Sequence, residues 1–145
     1  MVKMYAVIRV RGKVNVGPDI KKTFEHLNLR RANNLSLWQE SEQTFRMLKT
    51  VESYATFGKI NDAALKALLE KKAEPLREGA KIDAKKALEE IKKGKSLNDA
   101  GVFNCFRMSP PRKGYERGGI KKPYKSGGAL GDRKEEISEL IERMM

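Results

Sequence analysis

Cysteine and histidine are nearly missing from this chain of 145 residues, which contains Cys105 and His26 and no other residue of either type. A single cysteine excludes an intramolecular disulfide, and one cysteine far from one histidine argues against a structural zinc site. No apolar run approaches the roughly 20 residues that a membrane-spanning helix needs. The N-terminus begins with a charged, strand-like segment where a secretory signal would have an apolar run. We therefore expect a cytoplasmic protein without metal or cofactor.

Positive charge is what the chain has in excess. Lys and Arg number 31 against 19 Asp and Glu, a formal net charge of +12, and the pI is about 9.9. Such a surplus exceeds what solubility requires of a small protein. Cations that neutralise phosphates release condensed counterions, which gives affinity for any nucleic acid. The composition therefore predicts a polyanionic partner, and the alternative is a merely solvated basic face.

The first 60 residues show a β-α-β-α-β pattern. Residues 4–11 (MYAVIRVR), 33–40 (NNLSLWQE) and 54–57 (YATF) have the apolar and β-branched content of strands. A helix from Pro18 and a second helix capped by Ser41 lie between them. In the second helix we expect Phe45, Leu48 and Val51 to face inward. Two helices then cover one face of an α/β (α+β) sheet, and Trp38 is expected to pack and not to stack on a base.

The sequence pattern changes at residue 61, and residues 61–145 are expected to form an extension to a core at 1–60. Asn61 and Asp83 are placed to cap two helices. A strand is predicted at 102–108, with Phe103, Cys105 and Phe106 in the core. A basic loop follows at 112–131, and a C-terminal amphipathic helix is predicted at 133–144.

The basic loop is the first candidate site for RNA. Between Phe103 and Gly128 the chain has seven cations and one anion, and five glycines let the backbone approach another surface closely. Tyr115 and Tyr124 are expected to stack on bases or riboses. With few apolar side chains, the loop is not expected to order itself alone, so it should fold against RNA; the alternative is a disordered solubilising loop. The seven cations are Arg107, Arg112, Lys113, Arg117, Lys121, Lys122 and Lys125.

A second candidate cluster joins the end of the first strand to the start of the second. Arginine offers a planar fork for phosphates, and asparagine offers both a donor and an acceptor to bases or 2′-hydroxyls. The alternative is ordinary surface charge with turn asparagines, and for the two helical residues a solvated helix face. The members are Arg9, Arg11, Lys13, Arg30, Arg31, Asn33 and Asn34, with Arg46 and Lys49 of the second helix as an extension.

Several segments resemble the L30 family of large-subunit ribosomal proteins in its longer archaeal and eukaryotic form. They are MYAVIRVRG (4–12), LNLRR (27–31), FRMLKTVESYATFG (45–58), SPPRKG (109–114) and GGALGDRKEEISELIERM (127–144). The resemblance implies a ferredoxin-like core with an extension, assembled with neighbouring ribosomal proteins on large-subunit ribosomal RNA near the 5S RNA. It implies no catalytic role. Its RNA-facing candidates are Arg30, Arg31, Arg46 and the loop from Arg112 to Lys125.

Two other classes of function are alternatives to a structural RNA-binding protein. A small hydrolase on the same scaffold would use Arg11 or Arg31 with Asn33 or Asn34. However, the chain offers no activated nucleophile or His-based acid–base pair, and a substrate site does not explain the charge. A DNA-binding protein would use the same charge, yet no helix concentrates basic residues on one exposed face. We therefore expect a protein that binds ribosomal RNA and has no enzymatic activity.

Overall fold

A computed structural model describes residues 4–12, 16–71, 83–93, 104–112, 114–115, 117–120 and 122–144. The strands are β1 (Met4–Arg9), β2 (Asn34–Gln39), β3 (Ala55–Lys59), β4 (Phe106–Arg107) and β5 (Gly131–Asp132). The α-helices are α1 (Pro18–His26), α2 (Glu42–Thr50), α3 (Asp62–Lys71), α4 (Ala84–Lys92) and α5 (Ile137–Met144). Two 3-10 turns are formed by Tyr124–Ser126 and Lys134–Glu136. The predicted β-α-β-α-β order of the first 60 residues is confirmed.

The strands form one mixed sheet in the order β4-β2-β1-β3-β5. The central strand β1 is antiparallel to both β2 and β3, and Val7 lies opposite Ser36 on one side and Phe57 on the other. The edge strand β4 is antiparallel to β2, whereas β5 is parallel to β3. The two edge strands come from beyond residue 60 and extend the sheet that the first 60 residues begin.

Side-chain alternation along β1 supplies two apolar faces, as a strand period of two requires. Tyr5 and Val7 point to the face covered by α1 and α2, and Met4, Ala6 and Ile8 point to the face covered by α3, α4 and α5. The first layer buries Phe24, Leu27, Leu48, Val51 and Phe57. The second layer buries Leu65, Leu68, Ile91, Leu140 and Ile141, among others. The sheet is thus the middle of three layers.

Local hydrogen bonds confirm the three predicted helix caps. The Ser41 Oγ accepts from the backbone N–H of Thr44 at 3.1 Å. The Asn61 Oδ1 accepts from Ala64 N–H at 2.8 Å, and the Asp83 Oδ1 accepts from Lys85 N–H at 3.1 Å. Each cap satisfies a donor that a helix N-terminus leaves without an intrahelical partner.

Three predicted details are wrong. Phe45 is 38% exposed, because the inward stripe of α2 is Thr44, Leu48 and Val51 and Phe45 lies one position off it. Cys105 is only half-buried, although Phe106 is fully buried. Of the strand predicted at 102–108, the described residues 104–108 pair as a strand over 106–107. Before this pair, the Asn104 Oδ1 accepts the Leu37 N–H at 2.9 Å in place of a backbone carbonyl.

The predicted C-terminal helix begins later than expected. Its α-helical part starts at Ile137, after a 3-10 turn whose first residue, Lys134, has a φ of +52°. Its apolar stripe is confirmed, since Ile137, Leu140, Ile141 and Met144 are fully buried. Phe103 and the start of the predicted strand lie outside the described residues.

Candidate nucleic-acid interface

Most of the predicted cations that the structure describes lie at one end of the sheet, where β1 finishes and β2 and β3 begin. Ile8 lies opposite Leu35 there, and Arg9 lies opposite Ala55. β4 reaches the same end with Arg107, which is opposite Asn34, and α2 reaches it with its last turn. We call this surface the basic end; its members, all exposed or half-exposed, are Arg11, Arg30, Arg31, Lys49, Arg107, Arg112, Lys122 and Lys125.

Arg9 lies inside this end of the molecule and not on its surface, which corrects the prediction that it contacts RNA. Its side chain is 4% exposed. The guanidinium donates to the carbonyl oxygens of Leu29 at 2.8 Å, Arg11 at 3.0 Å and Gly12 at 3.4 Å, and it lies 4.1 Å from the Phe24 ring centre. Burial lowers the pKa of Arg9 from its ordinary value. Arg9 therefore supports the segments that carry Arg11 and Arg30.

Tyr115 and Asn33 bond to each other inside the protein, and their predicted contacts with bases stay predictions. The Tyr115 hydroxyl donates to the Asn33 Oδ1, and its half-buried ring packs on Val10, Ala129 and Leu130. Burial raises the pKa of Tyr115 to about 12. Asn33 has a φ of +67°, and its N–H donates to the Arg9 carbonyl at 2.7 Å. This pair joins the basic loop to the start of β2.

The described part of the basic loop closes on itself through backbone hydrogen bonds, and its ordering against RNA stays a prediction. Gly118 N–H donates to the Gly127 carbonyl at 2.9 Å, and Ala129 N–H donates to the Gly119 carbonyl at 3.1 Å. A Cβ on Gly128 would lie 2.0 Å from the carbonyl oxygen of Lys122, so only glycine fits there. These glycines let the loop close against itself.

Two arginines that the sequence analysis missed hold this loop to the rest of the fold. Arg133 is 3% exposed; its Nε donates to the Thr56 Oγ1 at 2.9 Å, and its guanidinium lies 4.8 Å from the Tyr124 ring centre. Arg143 of α5 donates to the carbonyls of Gly114 at 3.2 Å and Tyr115 at 3.4 Å. No local signal identifies their role, because Arg133 bonds to Thr56 across 77 positions and Arg143 bonds to residues 28 and 29 positions away.

A cleft of about 720 Å³ opens between the end of β1, the end of α2 and the basic loop. The Arg11 guanidinium at its edge lies 4.9 Å from the Tyr54 ring centre. Lys49 Nζ is 3.6 Å from Glu52 Oε2, and both side chains are about half exposed. The cleft combines four cations with two carboxylates and one tyrosine: Arg11, Lys49, Lys125, Lys134, Glu52, Asp132 and Tyr124.

The remaining candidates are distributed differently. Arg46 lies one turn before Lys49, is 76% exposed and pairs with Glu42 at 2.8 Å, so it flanks the basic end. Arg117 is exposed in the loop, and Asn34 is half-buried in β2. The Trp38 Nε1 donates to Ser36 Oγ at 2.9 Å and its ring packs on the α1–α2 layer, which confirms packing. Lys13, Lys113 and Lys121 lie outside the described residues.

Acidic side chains are placed at the opposite end of the sheet. Glu40 follows β2 and pairs with Lys59 at 3.1 Å, an interaction that raises the pKa of Lys59. Asp62 begins α3 at the same end and pairs with Lys92 at 3.8 Å. The basic end thus carries eight exposed or half-exposed cations, whereas Lys59 and Lys92 at the opposite end pair with carboxylates.

Two further kinds of site are absent from the described ranges. Within them, no group of three or more His, Cys, Asp or Glu side chains has a metal-binding arrangement. None of the helices in this part of the chain combines the length and the apolar composition that crossing a membrane requires.

The fold defines a small basic α/β protein with a ferredoxin-like three-stranded core. Residues 5–55 match the family described as ribosomal protein L30p/L7e. The chain is 38% identical to the large ribosomal subunit protein uL30 of Methanococcus vannielii, with 97% of this chain and 99% of that protein covered. The uL30 of Nanoarchaeum equitans is also 38% identical, with 97% of each chain covered, and that of Methanocella arvoryzae is 37% identical.

The chain belongs to the uL30 family of large ribosomal subunit proteins, which confirms the resemblance noted in its sequence. Proteins of this family are structural components of the cytoplasmic ribosome and are not enzymes. The predictions of a structural role, of a ferredoxin-like fold and of that location are therefore confirmed.

Proposed function

We propose that the chain binds large-subunit ribosomal RNA through its basic end. The observation that carries the proposal is the convergence of exposed cations from five separate segments on one end of the sheet. Phosphate contacts from many cations supply most of the affinity of such proteins and fix their register on the RNA. Specificity then comes from the folded shape of one RNA site.

The internal hydrogen bonds support this proposal by making the surface rigid before RNA arrives. Arg9 holds the carbonyls of residues 11, 12 and 29, and Tyr115 holds Asn33. A surface that is already ordered loses less conformational entropy when it binds. Buried polar groups thus fix the backbone, and exposed cations contact the phosphates.

The test compares the double variant Arg30→Ala/Arg31→Ala with the control Lys92→Ala/Lys93→Ala. Both pairs are adjacent and exposed, but Lys92 and Lys93 lie at the opposite end, where Lys92 pairs with Asp62. The full chain is titrated with large-subunit ribosomal RNA over a series of salt concentrations. Loss of two phosphate contacts should lower the slope of log affinity against log salt by about 1–2 for the first variant only.

Three outcomes of this titration would contradict the predictions. Equal losses in both double variants would show that net charge, and not the basic end, governs binding. A 5S RNA probe in the same titration tests the predicted nearness to that RNA; binding no tighter than to an unrelated RNA of equal length would contradict it. Unchanged affinity of Arg30→Ala/Arg31→Ala for all RNAs would refute the proposal.

A further inference from the structure

The cleft at the basic end contains more than a phosphate site requires. Cations alone suffice to bind phosphates, but this cleft also contains the carboxylates of Glu52 and Asp132 and the ring of Tyr124. Its volume of about 720 Å³ lies within the range of sites that hold small organic ligands, about 300–1,000 Å³. The combination of charge of both signs with an aromatic wall is typical of a site for a whole nucleotide.

The two carboxylates give the cleft acceptors for amino groups. The Asp132 Oδ1 accepts from the Lys134 N–H at 2.8 Å, which orients the carboxylate. Glu52 Oε2 is 3.6 Å from Lys49 Nζ, a long contact between half-exposed groups. An ionised carboxylate has two oxygens with about four acceptor positions, so each of these side chains has capacity for a further donor. Adenine, cytosine and guanine carry exocyclic amino donors. Uracil carries none, and its N3–H lies between two carbonyl oxygens that repel a carboxylate.

Planar groups beside the carboxylates are held in place by packing. The Arg11 guanidinium lies over the Tyr54 ring, and the Arg133 guanidinium lies over the Tyr124 ring. Unstacked bases of RNA are bound on tyrosine rings and on arginine planes, where stacking contributes about 1–3 kcal/mol per base. A base that enters the cleft therefore contacts planar groups that are already held in position.

We propose that the cleft receives one unstacked nucleotide of the RNA and that Glu52 and Asp132 select a base with an exocyclic amino group over uracil. This inference rests on the proposed RNA-binding function and adds a base preference to it. Lys49 and Lys125 hold the flanking phosphates, and Tyr124 supplies the stacking wall. The carboxylates lower the affinity for RNA because they repel phosphates. A hydrogen bond from an amino group of the base offsets this loss.

The test uses four RNA hairpins that are identical except for one bulged nucleotide, A, C, G or U. Of the A, C and G hairpins, the one that binds most tightly should bind the full chain about tenfold more tightly than the U hairpin does. This is the difference expected for one hydrogen bond to a charged acceptor. In Glu52→Gln/Asp132→Asn, the Asn oxygen can still accept from Lys134 N–H. This variant should bind all four hairpins more tightly, with the preference reduced to about twofold or less.

The matched control is Glu42→Gln/Glu89→Gln, which removes two exposed carboxylates that do not line the cleft. This control should keep the tenfold preference. Equal binding of the four hairpins by the unmodified chain would overturn the inference, and so would a preference that Glu52→Gln/Asp132→Asn leaves unchanged. Either result leaves the proposed function standing if Arg30→Ala/Arg31→Ala still weakens binding, so the two failures are distinguishable.

Discussion

Replacement of Arg9 by methionine tests the internal support of the basic end. Methionine keeps much of the aliphatic volume but loses the two well-formed hydrogen bonds, at 2.8 and 3.0 Å, the longer one at 3.4 Å and the contact with Phe24. Hydrogen bonds from a charged donor contribute about 1.5–3 kcal/mol each, and the cation–π contact contributes about 1–2 kcal/mol. Removal of the buried charge returns part of its desolvation cost.

The net destabilisation of Arg9→Met should therefore be about 3 kcal/mol, with a lower urea midpoint by about 1.5 M at a slope of about 2 kcal/mol per M. Equilibrium urea unfolding followed by circular dichroism measures it. Arg9→Lys keeps the charge and should lose about half as much. The exposed control Arg30→Met should stay within about 0.5 kcal/mol of the unmodified chain. Equal stability of Arg9→Met and Arg30→Met would refute the reasoning.

Three other perturbations follow from single contacts. Gly58→Ala should cost at least about 2 kcal/mol in thermal unfolding, because its Cβ would lie 2.2 Å from the Lys134 carbonyl oxygen; a neutral effect would contradict this close approach. Burial raises the pKa of Tyr115 above its ordinary 10 to about 12, so its contribution is constant below pH 10 and is lost between pH 10 and 12. Urea unfolding over that range should show a decline about 1–2 kcal/mol larger in the unmodified chain than in Tyr115→Phe, after allowance for partial exposure; parallel declines would contradict it. Asn61→Ala should cost about 1 kcal/mol in the same assay through loss of the α3 cap, and a loss below about 0.3 kcal/mol would contradict the cap.

Local sequence patterns predicted the elements well because local physics forms them. Caps such as Ser41 and Asn61 bond to donors three residues away, and strand alternation along residues 4–9 determines which side chains share a face. The same alternation places Arg9 with Tyr5 and Val7 beneath α1. Its burial was therefore accessible from the sequence once that face was known to be covered.

Contacts between distant residues were not accessible in this way. Tyr115 bonds to Asn33 across 82 positions, Arg133 to Thr56 across 77, and Asn104 to Leu37 across 67. A glycine-rich, cation-rich loop has the composition of a disordered segment, but the Tyr115–Asn33 bond, the Arg133 anchor and the close glycine packing at Gly128 give its described part a folded form. Amino-acid composition shows neither the long-range bonds nor the glycine packing. The sequence therefore did not distinguish the cations that hold the loop from the cations that face outward.

Lysine acetylation of assembled large subunits tests the central claim most directly. The reactivity of Lys49, Lys122 and Lys125 at the basic end is compared by mass spectrometry in the free chain, in the subunit and after ribonuclease digestion. The account predicts that these three lysines lose reactivity in the subunit and regain it when the RNA is digested. It is contradicted if they stay as reactive in the subunit as in the free chain while Lys66 and Lys93, which lie away from the basic end, are the ones that RNA protects.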